Sequence, residues 1–119
     1  NGWLSNVLPD GAVLNEIKVP IAAKSAFQKF ALRKSIDFPV VNCAVAQGGD
    51  GAVRVVLGGV YPAPVRSSEA EAAVAGGVSE QAAAQAGDAA VAACKPLGKH
   101  AYKVEIARTL VKRTLMDIV

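Results

Sequence analysis

An α+β fold, with an antiparallel sheet of three to four strands packed against about three helices, is what this sequence predicts. In the first half, short runs alternate apolar and polar residues, with turn-forming glycines and prolines between them. In the second half, alanine-rich segments carry helix-start signals and apolar residues three or four positions apart. Strands followed by helices is the order of a sheet covered by helices on one side.

Residues 1–11 form a lead-in closed by the turn signal Pro9, Asp10, Gly11. Residues 12–20 set Val13, Ile17 and Val19 against Asn15, Glu16 and Lys18 and predict a first strand. Pro20 ends that strand or confines it to a sheet edge, because proline cannot donate to a ladder. Residues 26–32 predict a weaker strand with Phe27 and Phe30 as core anchors, and residues 40–47 and 52–60 predict two more. Gly48, Gly49, Asp50 and Gly51 between the last two read as a hairpin, where glycine supplies positive φ. A phosphate cradle would instead put its glycines between a strand and a helix. Gly58 and Gly59, inside a strand pattern, predict close backbone approach or a bulge. Pro62 and Pro64 then force an extended exit.

Ser68 and Glu71 fit a capping box and start a short helix that ends at Gly76 and Gly77. A second helix is predicted over residues 79–94, weakened near Gly87 and stopped by Pro96. The last begins near His100 and reaches Asp117. Its Val104, Ala107, Val111, Leu115 and Ile118 form one buried stripe, and Glu105 and Arg108 pair across one turn.

At 119 residues the chain is expected to be a single domain, residues 1–119, able to bury its own core. Asn1, Gly2, Trp3 and Leu4, with no initiating Met, read as the interior of something longer, so an excised domain or processed fragment is expected. No apolar run approaches the roughly 20 residues of a membrane span, and the start lacks the layout of a signal peptide. Cys43 and Cys94 are too few for a disulfide framework and have no CxxC or His/Cys partner for a metal; free thiols in a reducing, cytoplasmic compartment are expected. The net charge of +3 hides an asymmetry: residues 67–94 hold four acids and no base, while residues 95–119 hold six bases and two acids. The basic tail is interleaved with acids and lacks aromatic stacking partners, so a solvated helix face is favoured over a nucleic-acid surface. The single histidine, His100, has no nucleophile or second ligand near it in sequence, and no Ser/His/Asp set or carboxylate pair can be nominated. No catalytic or metal-binding residue is therefore assigned.

The stretch over residues 27–39 gathers Lys29, Arg33, Lys34 and Asp37 between two strand-like runs, where links held by a rigid sheet present binding groups. Taken with the Gly58–Gly59 strand ending in Pro62, Pro64 and Arg66, the Glu-led helix at Ser68 to Glu71, and the basic Tyr102 helix, it resembles the C-terminal domain of the FAD-binding (medium) subunit of molybdenum hydroxylases. That is the flavoprotein family of xanthine dehydrogenase and carbon monoxide dehydrogenase. The resemblance runs from about Leu8 to Leu115 and implies the fold of the CO dehydrogenase flavoprotein C-terminal domain.

The resemblance further implies an electron-transfer role within an oxidoreductase. The domain would close over a flavin held mostly by an N-terminal FAD-binding region, from which residues 1–11 would lead in. FAD is the implied cofactor of the full-length subunit, not bound by this fragment. Molybdopterin and 2Fe-2S would sit in partner subunits, with no nucleic acid and no membrane involved. By position in the family motif, Lys29, eight residues before Asp37, would reach the flavin, where an ammonium favours the more negative reduced form. Arg33 and Asp37 would lie on the neighbouring loop that affects access of the electron acceptor. The alternative from another class is a small basic, non-enzymatic α+β module that binds protein or nucleic acid through residues 95–113.

Overall fold

A computed structural model describes residues 6–34 and 36–119. Four antiparallel strands, β1 (Lys24–Phe30), β2 (Val41–Gln47), β3 (Val53–Gly58) and β4 (Val65–Arg66), lie side by side in sequence order. Three helices follow: α1 (Ser68–Ala73), α2 (Glu80–Val91) and, after a 3-10 turn at Gly98–His100, α3 (Tyr102–Met116). The fold class and the numbers of strands and helices are those the sequence predicts.

The strand period of two sorts side chains onto two faces. Val41, Cys43 and Val45 of β2 and Val53, Val55 and Leu57 of β3 point at the helices and are buried. In register, Cys43 lies opposite Leu57, and Val45 opposite Val55. Helix α3 covers β1 and β2, α1 covers β3, and α2 packs across both α1 and α3. The predicted α3 stripe is the one that closes the core: Ala107, Val111, Leu115 and Ile118 are buried, joined by Leu110 and Thr114, while Val104 is half-buried. Thr114 meets its cost of burial by donating its hydroxyl to the Leu110 carbonyl at 2.7 Å. Gly87 does not weaken α2 so much as permit its packing, because a Cβ there would stand 2.7 Å from the Arg108 carbonyl oxygen of α3. Arg108 bridges the same two helices, reaching Asp88 at 3.2 Å and the expected Glu105 at 3.4 Å.

Several expectations are corrected. Residues 12–20 are exposed and join no strand ladder, so no strand forms there; alternation marks a segment able to half-bury, and a strand also needs a neighbour for its backbone. The first strand is Lys24–Phe30 instead. Phe27 and Phe30 are not core anchors: Ala26 and Gln28 occupy the centre of the helix-facing side of β1, Phe27 points the other way, and Phe30 sits at the open end of the strand. Residues 1–5 of the lead-in lie outside the described residues. The hairpin over Gly48 to Gly51 forms as read, with Gly51 at φ 79° and Gly48 N–H donating to the Ala52 carbonyl at 3.0 Å.

The helix start is one residue earlier than its capping-box reading. Ser67, not Ser68, is the N-cap, and its hydroxyl accepts from Ala70 N–H at 3.3 Å. Glu71 serves the sheet rather than the cap. Its carboxylate accepts from Val55 N–H at 3.0 Å and takes Arg66 in a bidentate grip, both contacts at 2.6 Å. Strand β4 pairs only with Val56 and Leu57, so Glu71 and Ser67 supply the hydrogen bonds that a longer strand would have given Val55. The Arg66 contact first, and the Val55 N–H with it, holds the Glu71 carboxyl below its usual range.

Glu71→Ala should therefore cost about 1–2 kcal/mol, through the lost Arg66 ion pair and the orphaned Val55 N–H together. A group whose pKa is lowered on folding stabilises above its unfolded pKa, and that contribution disappears as pH falls through the folded value. Urea denaturation at pH 7 and in the acid range should show the variant's deficit shrinking toward low pH. An equal deficit at both would show that the carboxylate charge is not what matters.

Candidate functional site

The end of β1 and the loop from β1 to β2 bring the three nominated site residues together, Lys29 from the strand and Arg33 and Asp37 from the loop. Val40 N–H donates to the Phe30 carbonyl at 2.8 Å and closes the loop at its base, beside the β1–β2 pair Phe30 and Val41. Lys29, at the end of β1, stands on the sheet face away from the helices, opposite Asn42, which in turn lies opposite Gly58. Its Nζ donates to the Asp37 carbonyl oxygen at 3.2 Å. Arg33 clamps the Asp37 side chain from two directions: its backbone N–H donates to Oδ2 at 3.1 Å and its Nη2 to Oδ1 at 2.8 Å.

Asp37 is thus an organising residue with its carboxylate already engaged. Its side chain is 10 % exposed, whereas that of Arg33 is 73 % exposed. The Arg33 guanidinium holds the Asp37 carboxyl below its ordinary range, helped by the backbone N–H groups of Arg33 and Phe38 and by the charge of Lys29. With Asp37 and Arg33 paired to each other, the remaining positive charge of the rim is that of the exposed Lys29 and Lys34. From the same loop Leu32, Ile36 and Phe38 project into solvent, Phe38 being 92 % exposed. A fixed, positive rim with apolar tips can hold an anionic, partly apolar group and can seat against another protein surface. Among its described residues no nucleophile is paired with a base.

A second feature at this end of the sheet was not legible from any motif. A cavity of about 310 Å³ opens between the end of β3, the turn after α2 and the start of α3. Its lining comes from three separate stretches, which is why no local pattern marks it. The only hints were Gly58 and Gly59, which do mark a close approach: a Cβ on Gly59 would lie 2.7 Å from the Val40 carbonyl oxygen. Among the described residues no group of three His, Cys, Asp or Glu is placed to hold a metal ion. None of their helices is long and apolar enough to cross a membrane.

Comparison with known proteins bears on the whole arrangement. The family described as CO dehydrogenase flavoprotein C-terminal domain matches residues 25–118, which include the complete Lys29 to Asp37 loop. Among solved structures, a carbon monoxide dehydrogenase from Hydrogenophaga pseudoflava, which lacks the Mo-pyranopterin moiety of the molybdenum cofactor, superposes with a TM-score of 0.69 at 33% identity. The match covers 82% of this chain and 38% of that one. Quinoline 2-oxidoreductase from Pseudomonas putida 86 gives the same TM-score of 0.69 at 22% identity, over 79% of this chain and 36% of that one, a likeness of fold. A search of curated protein sequences gives no match. The chain therefore corresponds to well under half the length of these structural relatives. The matched residues and the superposition of the sheet with its helices lead to one assignment: the chain belongs to the CO dehydrogenase flavoprotein C-terminal domain family.

Proposed function

We propose that this chain acts as the C-terminal domain of the FAD-containing subunit of a molybdopterin-dependent hydroxylase, and that its Lys29 loop faces the flavin. The observation that carries the reading is the family match over residues 25–118, which contains the whole loop. In this reading residues 1–119 are one domain, led into by residues 1–11 from an N-terminal FAD-binding region. Iron–sulfur and molybdopterin subunits are the further partners, and the setting is cytoplasmic. Bound FAD would supply the electron-transfer chemistry, and this chain's residues would position and bias it.

The residues suit that cofactor's charge. Both Asp37 oxygens are taken by Arg33, so the loop offers an anionic group cations without a competing carboxylate. Lys29 would hold positive charge toward the ring system, with its ammonium positioned by the hydrogen bond it donates to the Asp37 carbonyl. Arg33 and Asp37 would fix the loop's shape, and the exposed Leu32, Ile36 and Phe38 supply apolar surface for packing on the remainder of the subunit. The exposed Val13, Ile17 and Val19 support the same view, since they offer apolar surface that nothing among the described residues covers.

Lys29→Met in the full-length subunit tests the placement. Methionine keeps much of the stem and removes the charge, so FAD content should be retained while the flavin potential falls. About 30 mV corresponds to 1.4 kcal/mol for a two-electron couple, so a partly screened contact should move the potential by roughly tens of millivolts. Arg33→Ala should leave the potential nearer the parent value and alter acceptor turnover. Unchanged FAD content and unchanged potential in Lys29→Met would remove the lysine from the flavin's surroundings.

A further inference from the structure

We propose that the cavity at the end of β3 is a binding site for a small organic anion with a flat apolar body, of the class of aromatic carboxylates. The site is distinct from the Lys29 loop and does not depend on the flavin reading. At about 310 Å³ the cavity is at the small end of the range for ligand sites, enough for a single ring with its substituent. Leu57, Val104 and Ala107 give it an apolar floor, and Tyr61 adds an aromatic wall.

The charged groups that line it are of one sign. Lys95 and Lys103 border the cavity together with His100, and no Asp or Glu is among its described lining residues. Lys103 is fixed in place, because its Nζ donates to the Gly59 carbonyl at 3.1 Å, and Gly59 is itself part of the wall. An ammonium has three donors, so this contact leaves others for a ligand. A carboxylate seated there would gain charge-assisted hydrogen bonds beside an apolar surface that its ring covers. A neutral ring would gain only the second contribution, and a cationic one would be repelled.

Cys94 offers a reporter, since it lines the cavity as a half-buried free thiol. The other thiol, Cys43, is fully buried, and burial pushes it up to about 11, so it does not compete for alkylation. The rate of Cys94 alkylation by N-ethylmaleimide, followed by mass spectrometry, would be measured against increasing benzoate, benzyl alcohol or benzylamine. Saturation-transfer NMR on benzoate gives a second reading of occupancy that needs no thiol chemistry.

Benzoate should protect Cys94 saturably and bind about tenfold more tightly than benzyl alcohol, as expected for one charge-assisted contact. Benzylamine should not protect. In the Lys95→Gln, Lys103→Gln double variant, with an unchanged circular-dichroism spectrum, benzoate should fall to the level of benzyl alcohol. Val60→Phe, which fills the cavity from a half-buried lining position, should abolish both. Absence of saturable benzoate binding by both readings would overturn the proposal. So would equal binding of benzoate and benzyl alcohol, or full benzoate binding by the double variant.

Discussion

Leu115→Ala should lower the unfolding free energy by about 3 kcal/mol, within the roughly 2–5 kcal/mol seen when a fully buried leucine is truncated. Leu115 has no exposed surface and is the largest of the fully buried side chains. It sits on α3, the helix that covers β1 and β2, in the midst of a core made mostly of valines and alanines. None of the described aromatic residues belongs to that core, so no bulky ring is available to slump into the space left behind. Leu115→Met provides the control, because a volume-conserving change should cost less than about 1.5 kcal/mol. Urea denaturation should show a lower midpoint at an unchanged slope for the alanine variant. A loss under about 1 kcal/mol would mean that α3 can shift to close the gap, and that the core is less tightly fitted than its burial suggests.

The same helix shows why part of this fold was legible in the sequence. Ala107, Val111, Leu115 and Ile118 repeat at the helical spacing and need only one partner surface, so local pattern and tertiary packing agree. The Gly48 to Gly51 hairpin was legible for a similar reason, since its turn chemistry is local. Residues 12–20 misled because alternation describes what a segment can bury and not which element is present to bury it. The cap expected at Ser68 falls instead on Ser67, whose N–H is held by the Val55 carbonyl from 12 positions away in sequence. Glu71 was drawn from the cap by that same distant strand. In the loop, the residue types of Lys29, Arg33 and Asp37 pointed to a charged cluster. What sequence spacing did not convey is that Asp37 is consumed within it, leaving the cations as the exposed groups.

The second large effect is expected at Gly59, where two independent penalties meet. Its φ of 80° lies in the left-handed region, which costs an alanine about 1–2 kcal/mol. A Cβ there would also stand 2.7 Å from the Val40 carbonyl oxygen and 3.3 Å from the Val41 Cα, both of them backbone atoms that cannot rotate aside. Forcing such a contact adds a cost typical of overpacking, so Gly59→Ala should lose about 3 kcal/mol in all. Gly51→Ala separates the two contributions, because Gly51 has nearly the same φ, 79°, with nothing within 4 Å of its added Cβ. It should lose only the conformational part, about 1 kcal/mol. The extra loss at Gly59 has a defined destination. Val40 N–H closes the Lys29 to Asp37 loop on the Phe30 carbonyl, so pushing Val40 away should loosen that hydrogen bond and speed its amide exchange. Equal losses for the two variants, with Val40 exchange unchanged in Gly59→Ala, would show that the strand end yields freely and that the loop is not braced from this side.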